Sequence, residues 1–247
     1  MVNIGLVQFD ILWEDPNGNA AAVERLTQNA NNLDLLILPE LWICGFTMNN
    51  EAYKTRDRGL EAMRALSRRL GCPVLGGLPR QTETGQQNCC YLVDGDAEPL
   101  VYVKNKAFKF AGEHLKYQQG SERCLWPVAG FQLSPYVCYD LRFPELARSM
   151  VPGANLFTYV ANWPTPRVAH WRALLQARAI ENQSHVIGVN RVGSDPTGLD
   201  YPGSSLVISP AGEILLDAGA EEGFFTVTLD PEEPARVRAR FPFLNDI

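Results

Sequence analysis

Short, almost wholly apolar runs alternate with helix-forming segments along the whole chain, and this alternation constrains the fold more than any other feature. The run "LDLLILPE" ends in a proline and a glutamate, as expected of a strand covered on both faces. Residues 51–70 follow a helical period and stop before Gly71, a common helix-ending residue. The pattern predicts an α/β protein built in layers. Periodicity alone allows either two sheets between helices or one open, doubly wound sheet.

The rest of the chain continues the pattern. "NIGLVQFDI" is a predicted strand, and "NGNAAAVERLTQNANN" is a predicted helix with an Asn or Gly cap. "FQLSPYVCYD", "ANLFTYVANW" and "HVIGVNRVG" are predicted strands, with helices near 144–150 and 168–183 between them. Hairpins are expected around "DGD" and within "SSLVISPAGEILLDAG", followed by the strand "GFFTVTLD". Because no linker interrupts the pattern, we expect a single domain over residues 1–247.

Composition excludes several classes of function. The formal net charge is -6, and no cluster of Lys and Arg suits a phosphate backbone, so nucleic acid is not an expected partner. No apolar run approaches the roughly 18 residues that span a bilayer, and the first residues lack signal-peptide character. We therefore expect a cytoplasmic protein without a membrane partner. Six cysteines without a CxxC pair, and three scattered histidines, do not predict a disulfide framework or a metal site.

Three polar residues stand where predicted strands meet loops. Glu40 ends "LLILPE", Lys104 lies in "LVYVKNKAF", and Cys138 ends "SPYVC". Each has an ordinary structural explanation when taken alone: a solvated carboxylate, an edge-strand lysine and a small buried side chain. Strand ends are also where α/β folds place their functional sites. The combination of the three is therefore more informative than any one of them.

Together these three side chains can carry out acyl transfer to water. A thiol with an ordinary pKa of about 8.5 needs a base or a nearby cation to react as a thiolate near neutrality. Glu40 can take the thiol proton, and Lys104 can stabilise the negative charge that develops on a carbonyl oxygen. A carboxylate and an ammonium group also partly neutralise each other, which lowers the cost of burying both.

The residues after Cys138 fit the same chemistry. If the chain turns sharply there, the backbone N–H of Tyr139 is a natural oxyanion donor. Asp140 and Arg142 can brace the turn as an ion pair, or Arg142 can bind a substrate carboxylate. Trp163, in "ANWP", is either a core aromatic residue or an apolar wall of the substrate pocket. Both alternatives stay open for both residues.

These motifs resemble those of the nitrilase superfamily of carbon–nitrogen hydrolases, which use a Glu-Lys-Cys triad. Glu40 in "LILPELWICGF", Lys104 in "YVKNKAF" and Cys138 in "CYDLRFPE" match the three family motifs in order. "FKFAGEH", "ANWPTPRVAHWRALLQARAIENQ" and "NRVGSD" are most similar to the bacterial omega-amidase branch. The lysine motif departs from the family's usual Lys-x-His-Leu-Phe, because Lys106 replaces the histidine.

The resemblance implies a four-layer αββα sandwich, commonly paired as a homodimer. Because fixed charge on the side chains can polarise the carbonyl, we expect no metal or organic cofactor. The resemblance also implies hydrolysis of the terminal amide of a small 2-oxo dicarboxylic acid, such as 2-oxoglutaramate or 2-oxosuccinamate, through a cysteine thioester. Glu113 in "FAGEH" matches a second family glutamate near the triad.

Several alternatives to this activity stay open. The chain can instead hydrolyse a carbamoyl amino acid or the amide of a deaminated peptide, or bind a metabolite without catalysis. A papain-like hydrolase would need a histidine beside Cys138, and the candidates are His114, His170 and His185.

Overall fold

Two six-stranded sheets form the centre of the molecule, and helices cover them. The computed structural model describes residues 1–246, and Ile247, the last residue of the predicted domain, lies outside the described residues. The strands are β1 (Val2–Gln8), β2 (Leu35–Ile37), β3 (Val74–Thr82), β4 (Gly85–Val93), β5 (Leu100–Val103), β6 (Trp126–Val128), β7 (Phe131–Val137), β8 (Leu156–Val160), β9 (His185–Val189), β10 (Val192–Ser194), β11 (Asp200–Pro202), β12 (Leu206–Ile208), β13 (Ile214–Asp217) and β14 (Gly223–Leu229). The α-helices are α1 (Pro16–Leu26), α2 (Arg56–Leu70), α3 (Pro144–Arg148), α4 (Val168–Asn182) and α5 (Glu233–Arg240).

Strand order is similar in the two sheets. The first sheet runs β14-β1-β2-β3-β4-β5 and the second runs β13-β12-β9-β8-β7-β6. Three neighbouring strands are parallel in each, β1-β2-β3 in the first and β7-β8-β9 in the second, and antiparallel strands flank them. The short β10-β11 hairpin stands apart from both sheets. The carboxyl ends of parallel strands are the usual position of a site in such sheets.

The first sheet has apolar residues on both faces, because successive side chains along its buried strands point to opposite faces. In β2, Leu35 and Ile37 pack into the core shared by the two sheets, whereas Leu36 packs into the core beneath α1 and α2. Because side chains alternate across a strand, a run that is apolar at every position can contact two layers at once. Helix α4 covers the outer face of the second sheet through Trp171 and Leu175. The predicted four-layer αββα sandwich is confirmed.

The helix ends differ in detail from the sequence expectations. Helix α2 ends at Gly71, which adopts a left-handed conformation with φ of 67°, as predicted. Its expected first turn, residues 52–55, is instead a 3-10 helix. The prediction of an Asn or Gly cap on α1 was wrong, because Asp15 caps the helix by accepting a hydrogen bond from Gly18 N. Pro16 then occupies the first helical position, where its missing N–H costs nothing.

Candidate active site

A buried cluster of charges lies where the two sheets meet. Glu40 follows β2 and Lys104 follows β5, and Glu113 lies in a 3-10 helix, Glu113–Leu115. The Nζ atom of Lys104 is 2.8 Å from Oε1 of Glu40 and 2.8 Å from Oε1 of Glu113. All three side chains are at most 2 % exposed. Burial lowers the pKa of Lys104, but the two carboxylates outweigh it and raise the pKa well above the usual range, so the lysine is a cation.

Cys138 lies at the sharp turn between β7 and the 3-10 helix Cys138–Arg142. Its φ is 44°, in the left-handed region that non-glycine residues rarely adopt. Burial and the Glu40 charge raise the pKa of the thiol well above its ordinary value, although Lys104 opposes them. The resting side chain is therefore a neutral thiol, which would need a base to take its proton before it could react as a thiolate.

Asn162, which sequence reasoning missed, connects the cysteine and the glutamate. It follows β8, the parallel neighbour of β7. Its carbonyl oxygen lies 4.0 Å from Cys138 Sγ, and its backbone N–H donates to Oε2 of Glu40 at 2.8 Å. Its side-chain Nδ2 donates to the carbonyl oxygen of Glu40 at 2.7 Å. Oε2 of Glu40 is therefore held by Asn162, whose carbonyl lies near Cys138 Sγ, while Oε1 contacts Lys104.

Asn88 is a second residue that the motifs did not indicate. It lies in β4, and its Nδ2 donates to Glu40 Oε1 at 2.8 Å and to Glu113 Oε1 at 3.0 Å. The other oxygen of Glu113 accepts from the backbone N–H of Phe108. Both carboxylates are thus fixed by donors from several elements. "QNCC" carries no family motif that would have identified Asn88; only its position on a strand beside the lysine strand could have suggested a role.

The turn after Cys138 is braced, but not by the predicted ion pair. Asp140 accepts hydrogen bonds from Tyr102 Oη at 2.9 Å, from Lys106 N at 2.8 Å and from Val137 N at 3.0 Å. Of the two alternatives left open for Arg142, the ion pair with Asp140 does not form among the described residues, because residues two apart on a helix do not face each other. Burial raises the pKa of Asp140 to about 7, against these hydrogen bonds. Asp140 therefore ties the cysteine turn to the lysine loop through its hydrogen bond from Lys106 N.

The lysine that contacts the carboxylates is Lys104. The Lys106 ammonium instead lies 4.8 Å from the centre of the Phe143 ring. Tyr139 is the second residue of its 3-10 helix, a position where the backbone N–H has no partner within the helix, as expected of an oxyanion donor. Its ring packs 4.9 Å from that of Phe108.

A cavity of about 120 Å³ opens above this cluster. Most of its walls are apolar or aromatic, as is usual for small-molecule sites. Its lining includes Cys138, Tyr139, Arg142, Asn162 and Trp163. The Arg142 guanidinium lies 5.1 Å from the centre of the Trp163 ring, and its Nη2 lies 3.1 Å from His170 Nδ1. The fold thus brings every predicted site residue to the cavity or to the charge cluster beneath it.

The described residues provide neither a histidine partner for Cys138 nor a metal-binding group. Across residues 1–246, no histidine forms a hydrogen bond with Cys138: His114 is exposed, His170 contacts Arg142, and His185 lies near Asp230. Within the same residues, no group of three or more His, Cys, Asp or Glu side chains could hold a metal ion.

None of the described helices is long and apolar enough to cross a membrane.

Comparisons with known proteins agree with the geometry. The family model for carbon-nitrogen hydrolase matches residues 3–239. Omega-amidase YafV of Escherichia coli strain K12 is 40% identical over 99% of this chain and 96% of its own length. The 2-oxoglutaramate amidase of Bacillus subtilis strain 168 is 34% identical over the same shares of the two chains.

A solved structure extends the similarity to the fold. XC1258 of Xanthomonas campestris, a CN-hydrolase superfamily protein with an arsenic adduct in its active site, is 37% identical. The alignment has a TM-score of 0.93 and covers 100% of this chain and 97% of that one. The resemblance inferred from the three motifs is confirmed. The chain belongs to the carbon–nitrogen hydrolase family, in the nitrilase superfamily.

Proposed function

We propose that the protein is an omega-amidase, which hydrolyses the terminal amide of a small 2-oxo dicarboxylic acid to the oxo acid and ammonia. The observation that carries this proposal is the bridging position of Glu40. One carboxylate oxygen contacts the Lys104 ammonium, and the other is held by Asn162, whose carbonyl lies beside Cys138 Sγ. The names of the two relatives, omega-amidase and 2-oxoglutaramate amidase, support the substrate.

In the first half-reaction, Cys138 Sγ attacks the amide carbon. The thiol is neutral at rest, so its proton passes to Glu40 as the C–S bond forms. The carbonyl electron pair moves onto oxygen, where the Lys104 ammonium and the Tyr139 N–H stabilise the negative charge. Collapse of this intermediate breaks the C–N bond, and Glu40 returns the proton to the departing ammonia. A thioester on Cys138 remains.

In the second half-reaction, water replaces ammonia. Glu40, again a carboxylate, takes a proton from the water as its oxygen attacks the thioester carbon. The same donors hold the oxyanion, and the C–S bond breaks as the thiol recovers the proton from Glu40. Glu113 also accepts a hydrogen bond from Lys104 Nζ and, in this proposal, positions the water. The residues supply fixed charge and a base, so no metal or organic cofactor is assigned a step.

The far end of the substrate carries a carboxylate, and Arg142 is assigned to bind it. A guanidinium group matches a carboxylate in a bidentate geometry. Trp163 stacks against Arg142 and forms the adjacent wall of the cavity. The proposal also retains the homodimer that the family resemblance implies, together with the single domain over residues 1–247 and the cytoplasmic location expected from the sequence.

An ammonia-release assay on a panel of amides tests the proposed function. The panel contains 2-oxoglutaramate, 2-oxosuccinamate, a carbamoyl amino acid, a deaminated-peptide amide and a nitrile. We expect the highest kcat/KM for one of the two 2-oxo monoamides and no activity in Cys138→Ala. Preference for another member would reassign the substrate. Release of ammonia by Cys138→Ala at the wild-type rate would refute the cysteine mechanism.

A further inference from the structure

A second arginine, Arg167, lines the cavity and has no role in the mechanism above. It ends the short 3-10 helix Thr165–Arg167, just before α4. Its guanidinium lies 5.2 Å from the centre of the Phe108 ring, which also lines the cavity. Arg142 and Arg167 thus each stack on an aromatic wall of the same cavity. A stacked guanidinium keeps its N–H edge free to donate hydrogen bonds.

Neither arginine is neutralised by the protein. Among residues 1–246, no carboxylate oxygen lies within 4.0 Å of either guanidinium, and the Arg167 side chain donates no hydrogen bond. The one carboxylate that lines the cavity, Asp195, already accepts hydrogen bonds from Thr197, Leu199 and Tyr201. A partly buried cation without a carboxylate partner costs free energy, and a bound anion lowers that cost.

The two arginines are also held relative to each other. Trp163 Nε1 donates to the carbonyl oxygen of Arg167 at 2.7 Å, while Arg142 stacks on the Trp163 ring. The indole therefore fixes the backbone of one arginine and supports the side chain of the other. Donors that are positioned before binding lose less conformational entropy when a ligand arrives.

We propose that Arg167 is a specificity-determining residue, which binds the 2-oxo oxygen while Arg142 binds the adjacent carboxylate. This inference rests on the proposed function, because it divides the polar end of that substrate between two guanidiniums. A carboxylate alone occupies one guanidinium fork. The Arg167 guanidinium provides a second set of free N–H donors in a mostly apolar cavity, which suits a second hydrogen-bond acceptor on the ligand. In a 2-oxo acid this acceptor is the oxo oxygen, on the carbon next to the carboxylate.

Three amides that differ at one end test the assignment. They are 2-oxoglutaramate, glutaramate, which lacks the oxo group, and pentanamide, which lacks both acceptors. We expect Arg167→Gln to lower the wild-type preference for 2-oxoglutaramate over glutaramate about 10- to 100-fold, the usual effect of losing a hydrogen bond from a charged donor. Arg142→Gln should reduce kcat/KM for both acids and leave their ratio closer to wild type. Hydrolysis of pentanamide should be unchanged by Arg167→Gln.

Arg123→Gln is the matched control, because Arg123 is exposed and lies outside the cavity lining. This variant should keep the wild-type ratio of kcat/KM for 2-oxoglutaramate to kcat/KM for glutaramate. An equal loss for all three amides in Arg167→Gln would mean that Arg167 only maintains the fold. An unchanged ratio would also overturn the inference.

A binding measurement separates failure of this inference from failure of the proposed function. Calorimetry compares 2-oxoglutarate with glutarate as ligands of Cys138→Ala and of Cys138→Ala/Arg167→Gln. We expect the first variant to prefer the 2-oxo acid and the second to lose that preference. If wild type hydrolyses none of the amides but this binding result holds, the proposed reaction is wrong and Arg167 still recognises the oxo group. If the amides are hydrolysed but Arg167→Gln changes neither the kinetic preference for 2-oxoglutaramate over glutaramate nor the binding preference for 2-oxoglutarate over glutarate, only the inference fails.

Discussion

Lys104 Nζ lies at the same distance, 2.8 Å, from a carboxylate oxygen of Glu40 and from one of Glu113. One buried cation therefore holds two buried carboxylates, and Asn88 donates to the same two oxygens. The lysine thus stabilises the folded state in addition to its proposed role at the oxyanion, because without it two negative charges would face each other away from water.

Replacing Lys104 should affect both stability and catalysis. We expect Lys104→Met to abolish amide hydrolysis and to lower the free energy of unfolding by about 3–5 kcal/mol, the usual cost of breaking a buried ion pair. Urea unfolding at pH 7 measures the stability effect. Lys106→Met is the control, since Lys106 contacts Phe143 rather than the carboxylates. Adding Glu113→Gln to Lys104→Met should recover part of the lost stability. Equal stability of the two single lysine variants would contradict the account.

Glu113→Gln should reduce activity strongly, although glutamine has nearly the same shape as glutamate. Oε1 of Glu113 accepts from Lys104 and Asn88, and Oε2 accepts from Phe108 N. A glutamine has only one oxygen, so its NH₂ group must face either Lys104 and Asn88 or the Phe108 N–H. In either orientation a donor faces a donor, and that contact becomes repulsive. We expect kcat to fall about 10²-fold, with a smaller change in KM. Steady-state kinetics measures both constants. The exposed Glu122→Gln should match wild type, and wild-type kcat in Glu113→Gln would remove Glu113 from the site.

The left-handed backbone of Cys138 should cost stability that glycine can restore. With φ of 44°, a side chain at this position is strained by about 1–2 kcal/mol. We expect Cys138→Gly to unfold with a free energy about 1 kcal/mol higher than Cys138→Ala, since the left-handed region is open to glycine. Both variants should be inactive. Chemical denaturation of the two compares them directly, and a more stable alanine variant would argue against a strained nucleophile turn.

His185 should make the protein sensitive to mild acid. Burial lowers its pKa to about 4, and the partly exposed Glu233 carboxylate, 3.2 Å from Nε2, does not offset that effect. Below the unfolded pKa of about 6.5 the unfolded chain takes up a proton that the folded chain excludes, so stability falls as the pH drops from 6.5 towards 4. We expect a loss of about 2 kcal/mol between pH 7 and pH 5 from this residue.

Unfolding curves at the two pH values measure this loss. His185→Gln should lose less stability than wild type over the same interval. His114→Gln should keep the wild-type loss, because His114 is exposed. An equal pH dependence in wild type and His185→Gln would show that His185 is not the group responsible.

Much of the fold could be predicted because the buried strands are short and apolar at every position. Leu35, Leu36 and Ile37 alternate between two cores, and only a layered arrangement buries both sets. Cap residues were less predictable: Asp15 and Asn17 flank the start of α1, and Pro16 decides which of them is the cap. Such a choice depends on one residue's backbone angle rather than on a repeating pattern.

The site residues that lie in recognisable sequence motifs, Glu40, Lys104 and Cys138, could be predicted. The site was not predictable where contacts between distant strands decide a role. Asn162 lies 122 residues from Glu40 in sequence yet donates to it. Likewise, the partner of Asp140 is not Arg142 but the Tyr102 hydroxyl, 38 residues away, with two backbone N–H groups.

The central claim is that a thioester forms on Cys138, and mass spectrometry of the quenched reaction tests it most directly. Wild-type protein is mixed with 2-oxoglutaramate, quenched in acid within one turnover and digested. We predict the acyl group of the substrate on the peptide that contains Cys138, no addition to the other five cysteines, and no adduct in Cys138→Ala. Substrate turnover with Cys138 unmodified throughout, or with the acyl group on another residue, would contradict the mechanism.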